Sequence, residues 1–576
     1  MRKVLLLSFA LLMALTNLAL AQSRAISGKV LAAENGQPLP GVNVVVKGTT
    51  VGTTTGADGT FSVSLPNGSN VIQFSFLGYT SQEVNATGKN TISVSLKEDM
   101  KALSEVVVVG YGSKTKEDLS ASVSVVSAKE IESKPVPSVD QLLQGKATGV
   151  QVVGANGKPG ASAFIRIRGT GSISAGNQPL LVVNNVQIPD NMRDQFFNSI
   201  NANDIESISV LKDAAAASIY GARGSNGVVV ITTKSGAKSK GTLTYRFQSG
   251  INEKLPDNFE MMNSAQKLQY EYEMGFTNQY INTFFAANRA EYPTGSTIVN
   301  ISPEKRQKVW DEIGKVDHNW QDDILRQGKI EQHEFSFGGS TGTSNYFFSL
   351  QKFDQEGIVI GNKFNRYSSA LNISSEIKPW LSVGNSLNIG HTSSNETRDR
   401  NNVQNPFRAM YTYNPYEPVF NADGTYNRTH QGVNIIQYMQ TEPELQKNFT
   451  GLNAFNVDLH PIKGLNVTSR IGLTLRDYTR ESFSAPGGAL DPIVGDPANP
   501  GSKTDNGSKE FYYSWTNQAR YAFNLGEAHS FSIMGLQEFQ KSQFSSYSMQ
   551  KRGFASADLT TQDNGAANHG NNTTSK

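Results

Sequence analysis

The chain contains no cysteine, which excludes disulfides, thiolate metal sites and a lipid-modified N-terminal cysteine. Nor does it carry an excess of one charge: 52 Lys and Arg against 50 Asp and Glu leave a formal +2, so nothing electrostatic argues for a nucleic acid partner. The seven histidines are scattered, and no pair has metal-ligand spacing. With no nucleophile–base or metal constellation in view, neither an enzyme nor a cofactor is expected. Beyond the N-terminus, no apolar run reaches the roughly 18 residues of a membrane-spanning helix. A negative mean hydropathy still leaves the membrane open as an environment, because barrel strands alternate apolar and polar residues and average out as hydrophilic.

What is there starts with an export signal. Arg2 and Lys3 precede an apolar stretch from Val4 to Leu20, and Ala19-Leu20-Ala21 is a small-x-small cleavage pattern. Residues 1–21 therefore read as a signal peptide cut between Ala21 and Gln22. An uncleaved anchor is the alternative, weakened by the shortness of the run and by Thr16 and Asn17 within it. At 576 residues, several domains should follow.

The most informative stretch runs from Asn203 to Gly236 and reads as strand, short helix, glycine-punctuated turn, strand. Ile205, Ile208 and Val210 are β-branched, and Asp213 can cap the four alanines that follow. Gly221, Gly224 and Gly227 break the helix and permit positive φ, and Val228 to Ile231 is a second strand. This stretch resembles the end of the plug domain of TonB-dependent outer-membrane transporters, in the SusC/RagA branch that imports glycans or peptides. The resemblance implies a plug within a 22-stranded barrel and TonB as the energy-coupling partner. It further implies a SusD-like surface lipoprotein as a lid and an oligosaccharide or oligopeptide as cargo.

The rest of the chain falls into place around it. Residues 22–98 hold short strand candidates at Ile26 to Val30, Val42 to Val46, Phe61 to Leu65, Val71 to Phe76 and Thr91 to Leu96, separated by turn dipeptides such as Asp58-Gly59. This spacing predicts a small β-sandwich. Leu39-Pro40-Gly41-Val42, Asp58-Gly59-Thr60-Phe61 and Phe76-Leu77-Gly78-Tyr79 are similar to the carboxypeptidase regulatory-like domain, which has no catalytic residues. Residues 99–117 form a linker containing Glu105, Val106, Val107, Val108 and Val109. Four consecutive valines favour an extended segment able to add to another protein's sheet edge, and they lie where the family's TonB box is expected. The alternative is an ordinary first strand of the plug. Residues 118–236 are assigned to the plug. Within it Ser138 is available as a helix cap, Asn184-Asn185 as a tight turn, and Arg166, Arg168 and Arg223 as candidates to pair with acidic groups on the barrel wall.

From 237 to 576 the alternating segments lengthen. Val467, Ser469, Ile471, Leu473 and Leu475 would face one way, and Thr468, Arg470, Gly472, Thr474 and Arg476 the other. An apolar side toward outer-membrane lipids and a polar lumen side, with short and long links in alternation, is the signature of a transmembrane antiparallel barrel. About nine strands can be placed, so against the family's barrel less than half the wall is present and a fragment or truncated product is expected. Helices are expected after Ser264 and after Ser302-Pro303. Aromatics such as Tyr270, Phe276, Tyr411, Tyr413 and Tyr416 in the long links suit either sugar stacking or loop packing. The fold expected is thus dominated by β-structure: sandwich, small α/β plug, partial barrel. The function implied is nutrient import. A binding or signalling receptor without transport and a non-functional fragment are the alternatives.

Overall fold

The computed structural model describes residues 24–49, 51–66, 70–76, 79–97, 106–109, 112–115, 123–131, 138–154, 156–169, 176–236, 241–396, 402–442, 444–526, 529–566 and 570–575. Ala21, Gln22 and Glu105 lie outside the described residues. The chain divides into two units, with the division falling between Val107 and Ala121.

The first unit has strands β1 (Arg24–Ala32), β2 (Asn43–Val46), β3 (Gly52–Thr54), β4 (Thr60–Leu65), β5 (Val71–Ser75), β6 (Gln82–Asn85) and β7 (Thr91–Leu96). They form two sheets, ordered β4-β1-β7 and β3-β2-β5-β6. Strict alternation directs Phe61, Val63 and Leu65 of β4 and Ile92, Val94 and Leu96 of β7 inward. With Ile72 and Phe74 they build one apolar core, the sandwich expected. The edge strands β3 and β6 were not anticipated: Gly-Thr-Thr and Gln-Glu-Val-Asn carry too little apolar character to reveal a period.

Strands β8 (Val106–Val109) and β9 (Gly112–Thr115) pair as a two-stranded ribbon.

In the second unit a small α/β domain contains β10 (Val123–Ser127), β11 (Val150–Gly154), β12 (Ala163–Ile167), β13 (Leu180–Val183), β14 (Val186–Ile188), β15 (Ile205–Leu211) and β16 (Val228–Thr233). Five of these form a mixed sheet, β10-β15-β16-β13-β14, and β11-β12 is a separate hairpin. The central strands β13 and β16 are continuous apolar runs because both their faces are covered. Asn184 and Asn185 turn the β13–β14 hairpin with φ of 48° and 64°, the left-handed pair a two-residue turn needs. Gly221 and Gly227 adopt positive φ. Gly224 does not; it is required for another reason, since a Cβ there would lie 2.7 Å from the Ala217 carbonyl oxygen. Two expected caps are not formed. Ser138 and Asp213 occupy N-cap positions without a side-chain cap bond, and the Asp213 carboxylate instead pairs with Arg168.

The remainder is one ten-stranded antiparallel meander: β17 (Thr242–Asn252), β18 (Gly328–Ser340), β19 (Ser344–Glu356), β20 (Lys363–Lys378), β21 (Leu381–Glu396), β22 (Glu444–Leu459), β23 (Leu465–Ser484), β24 (Ser502–Leu525), β25 (His529–Arg552) and β26 (Gly570–Ser575). Nine correspond to the strands expected; β26 is the addition. Its Gly-Asn-Asn-Thr-Thr-Ser composition is polar, and it is a strand because β25 offers it an edge, Tyr547 opposite Thr574. Short turns join β18 to β19, β20 to β21, β22 to β23 and β24 to β25, whereas 253–327, 357–362, 397–443, 485–501 and 553–569 connect the other ends. On β24, Tyr512, Ser514, Thr516 and Gln518 are buried toward the α/β domain, and Phe511, Trp515 and Tyr521 are exposed on the opposite face. Among the described residues no helix is long and apolar enough to cross a membrane.

Candidate functional site: the seat of the plug

The α/β domain rests on the inner face of the wall, and this interface concentrates the buried polar groups. Of the three arginines expected to pair with the wall, Arg166 and Arg168 are engaged within the domain and Arg223 reaches the wall through Gln187. Arg166 lies on β12 with its guanidinium 5.3 Å from the Phe164 ring. Arg168 leaves the strand with φ of 55° and pairs with Asp213 inside the domain. Among the described residues neither meets a wall carboxylate. Strand alternation does not govern Arg168, because the chain turns there and brings Asp213 within reach. Arg223 donates to Gln187 Oε1 at 3.0 Å, and the Gln187 amide lies 3.3 Å from Glu538 of β25. A cavity of about 350 Å³ opens beside them, lined by Asp190, Asn226 and Tyr512 among others.

The seat itself is built from short amide side chains of the domain and polar groups of the wall. Gln351 on β19 donates to Asn201 at 2.7 Å, Ser349 to Asp204 at 2.7 Å, and Asn372 on β20 to the Thr233 hydroxyl at 2.9 Å. Asn203 donates to Glu334 at 2.5 Å, Asn184 to Ser386 at 2.5 Å and Asn191 to Glu510 at 2.9 Å. Two further arginines of the interface belong to the wall. Arg366, fully buried, donates to the Asn198 carbonyl at 3.2 Å and to Gln351 at 3.1 Å, and Arg476 approaches Glu510 at 3.5 Å. Asp204 is buried beside Glu334. Burial above all, aided by that neighbouring charge, pushes its carboxyl up to about 7, while the Ser349 hydrogen bond opposes the rise.

Close approach is secured by glycines. A Cβ on Gly390 of β21 would lie 2.5 Å from Ser199 Cβ and 2.7 Å from the Ser199 carbonyl oxygen. One on Gly472 of β23 would lie 2.8 Å from both Val186 methyls. Leu452, Ala454 and Tyr512 of the wall join the domain's own apolar core. Apart from Asn184, named for its turn, and Gly472 and Arg476, placed on the inward parity of their strand, these seat residues were not singled out from the sequence. The only signal was their place on the polar, inward parity of wall strands, which marks a face but not a partner.

At the long-loop end of the wall, segments 253–327 and 402–442 fold against each other. Ser302 caps Pro303–Ile313 as expected, whereas Asn263, not Ser264, caps Ser264–Glu273 in a reciprocal box with Gln266. Tyr416 and Asn278 both donate to the buried carboxylate of Glu271, at 2.8 and 3.0 Å. Burial and that carboxylate raise the Tyr416 hydroxyl far above the usual phenol range. Trp320 donates to the Asn414 carbonyl at 3.0 Å. Tyr413 and Tyr416 are therefore loop packing, and Tyr270, Phe276 and Tyr411 are exposed. A cavity of about 720 Å³ lies here, lined by Phe259, Glu260, Asp317 and Asn319 among others.

Residues 26–108 match the CarboxypepD_reg-like domain and residues 115–228 the TonB-dependent Receptor Plug Domain. TonB-dependent receptor P26 of Formosa agariphila is 32% identical over 529 residues, which cover 90% of this chain and 49% of that protein. TonB-dependent receptor SusC of Bacteroides thetaiotaomicron is 33% identical over 359 residues, 62% of this chain and 32% of that protein. The solved RagAB peptide importer, in its open-open state, superposes with a TM-score of 0.66 at 27% identity, covering 82% of this chain and 53% of that one. The chain thus spans about half or less of the length of these relatives. From sandwich, seated plug and antiparallel wall, the chain belongs to the SusC/RagA type of TonB-dependent outer-membrane transporters, a non-catalytic class.

Proposed function

We propose that the protein imports a nutrient, an oligosaccharide or oligopeptide, across the outer membrane by TonB-dependent active transport, with a SusD-like surface lipoprotein as lid. The observation that carries this reading is the plug's seat: an α/β domain with its own apolar core, held to the wall largely through amides and hydroxyls. Such bonds can be exchanged for water at a net cost of about 0.5–1.5 kcal/mol each, which suits a part that is displaced and reseated. The RagAB structures are of a peptide importer, which supports a peptide as one of the two cargo classes. Among the described residues β8 pairs only with β9 and is not part of the plug sheet. That favours a role for the valine segment as the strand that TonB takes up by edge addition. Pulling on it would strain the seat and open a path, with no covalent chemistry in this chain.

The test is Val107→Pro, which removes a backbone donor from the added strand. Uptake should be abolished while the amount of protein in the outer membrane stays the same, and a proton-gradient uncoupler should stop uptake by the unaltered protein. Normal uptake by the variant would remove the valine segment from the mechanism; uptake indifferent to the uncoupler would overturn active transport.

A further inference from the structure

The face of the wall turned away from the plug changes character over β18–β21 in three successive cross-strand rows. Phe335, Leu350, Ser369 and Ile389 stand opposite one another in register. One row nearer the long loops come His333, Lys352, Tyr367 and His391. The next row holds Glu331, Asp354, Asn365 and Ser393. All three point outward: Phe335, Leu350 and Tyr367 are exposed, while Gln332, Glu334 and Gln351 between them are buried toward the plug. A shallow groove of about 490 Å³ runs across the first two rows, its lining almost entirely apolar.

Ionisable groups on the lipid side of a barrel cost about 2–4 kcal/mol at the midplane and less toward the interface, so a cluster of them calls for a counterpart. The cluster is local. In the same register row Phe247 flanks His333 and Phe449 flanks His391, so aromatic residues bound it on both sides. Four adjacent strands at about 4.8 Å give it a width of roughly 14 Å. His333 bridges the Tyr245 hydroxyl at 2.8 Å and Glu331 at 2.7 Å, and Lys352 reaches Asp354 at 2.7 Å. At the strand ends, Lys363 and Arg326 likewise share Glu356 at 3.3 and 3.7 Å.

The order of chemistry outward along the strands is apolar, then basic, then acidic. We propose that this patch binds a phospholipid whose headgroup carries a phosphate followed by a primary ammonium. Its acyl chains fill the groove over Phe335, Leu350 and Ile389. Its phosphate accepts from Lys352, His391 and the Tyr367 hydroxyl. Its ammonium donates to Glu331 and Asp354, one row further out, about 6.8 Å along the strand. That is the scale of a phosphate, a two-carbon link and an ammonium. An acidic lipid would meet the Glu331–Asp354 row unfavourably, and a quaternary ammonium could not donate to it.

The test uses the whole protein, purified from membranes and reconstituted into phosphatidylcholine nanodiscs. Phosphatidylethanolamine or phosphatidylglycerol is titrated in, and bound lipid is counted by native mass spectrometry. Phosphatidylethanolamine should be retained at least about tenfold over both other lipids, the worth of one charge-assisted hydrogen bond. Lys352→Ala with His391→Ala should lose it. Glu331→Gln with Asp354→Asn, which conserves shape, should remove the preference for ethanolamine while leaving strand content by circular dichroism unchanged. Equal retention of phosphatidylglycerol, equal retention of phosphatidylcholine, or an unchanged preference in the shape-conserving variant would each overturn the proposal.

Discussion

Gly390 is the most exacting point of the plug's seat, and Gly390→Ala isolates it. The added Cβ would lie 2.5 Å from Ser199 Cβ and 2.7 Å from the Ser199 carbonyl oxygen, where carbon atoms ordinarily approach to about 3.5–4.0 Å. The conflict involves backbone, so no side-chain rotation relieves it; Phe196 to Ile200 must withdraw from β21. Overpacking of this kind costs about 1–3 kcal/mol, against which alanine in a strand returns about 0.5–1 kcal/mol over glycine. A net loss of about 1–2 kcal/mol corresponds to a plug that opens roughly 5- to 30-fold more often. Gly451 on β22 is the matched control, since a Cβ there meets nothing within 4 Å. Hydrogen exchange should show faster exchange at Phe196 to Ile200 in Gly390→Ala, with wall strands unchanged and Gly451→Ala like the parent. Cells carrying Gly390→Ala should admit a large hydrophilic antibiotic. Equal exchange in the two variants would refute a seat that depends on the missing Cβ.

Two further outcomes follow from the same interface and from the loops. The Asp204 carboxyl is raised to about 7, so its contribution to stability is complete below the ordinary carboxylate value and is lost as pH rises through about 7. Asp204→Asn keeps an acceptor for Ser349 and should match the parent near pH 4, then exceed it by a few kcal/mol at pH 8; thermal unfolding curves that stay parallel across that range would contradict the buried-carboxyl account. Glu271→Ala leaves the Tyr416 hydroxyl buried without its acceptor, while the Asn278 amide keeps only the Tyr416 oxygen as acceptor, at about 1–3 kcal/mol for the orphaned hydroxyl. External protease should then cut 253–327 faster than in the parent, without change in the wall, and equal cutting rates would show that the loops are fastened elsewhere.

Much of the architecture was legible because strand pairing imposes a period of two. Val467 to Leu475 alternates over a length that a sandwich strand does not need, and β23 does run from Leu465 to Ser484. Where the period carried no apolar residues, as in β3, β6 and β26, the strand exists only because a neighbour presents an edge, and no local signal marks it. Site residues were less legible for a related reason. Parity tells which face a side chain takes but not what stands opposite. Arg166 and Arg168 looked suited to a polar wall, yet the partner of Arg168 is Asp213, which sequence alone made a helix cap. Asp204, in the same Asn-Asp run that read as the start of a strand, becomes a buried seat residue solely because β19 brings Ser349 to it.

The two sides of the seat differ in kind, and the difference bears on how the plug could move. Toward β18–β21 the contacts are Asn203, Asn201, Asp204, Thr233 and Asn184 against Glu334, Gln351, Ser349, Asn372 and Ser386. Toward β22–β24, Asn191 still bonds Glu510 and Arg476, but Leu452, Ala454 and Tyr512 also merge with the plug's own core, and Val186 fits against Gly472. Water entering the first side replaces each hydrogen bond with another, so the separation is cheap. On the second side it would expose apolar surface at about 25 cal/mol per Å² with nothing to replace it. A pull on the N-terminal end of the plug should therefore part it from β18–β21 first, with the β22–β24 contact as the hinge. Hydrogen exchange under TonB load should rise at Asn201 to Asp204 before it rises at Val186.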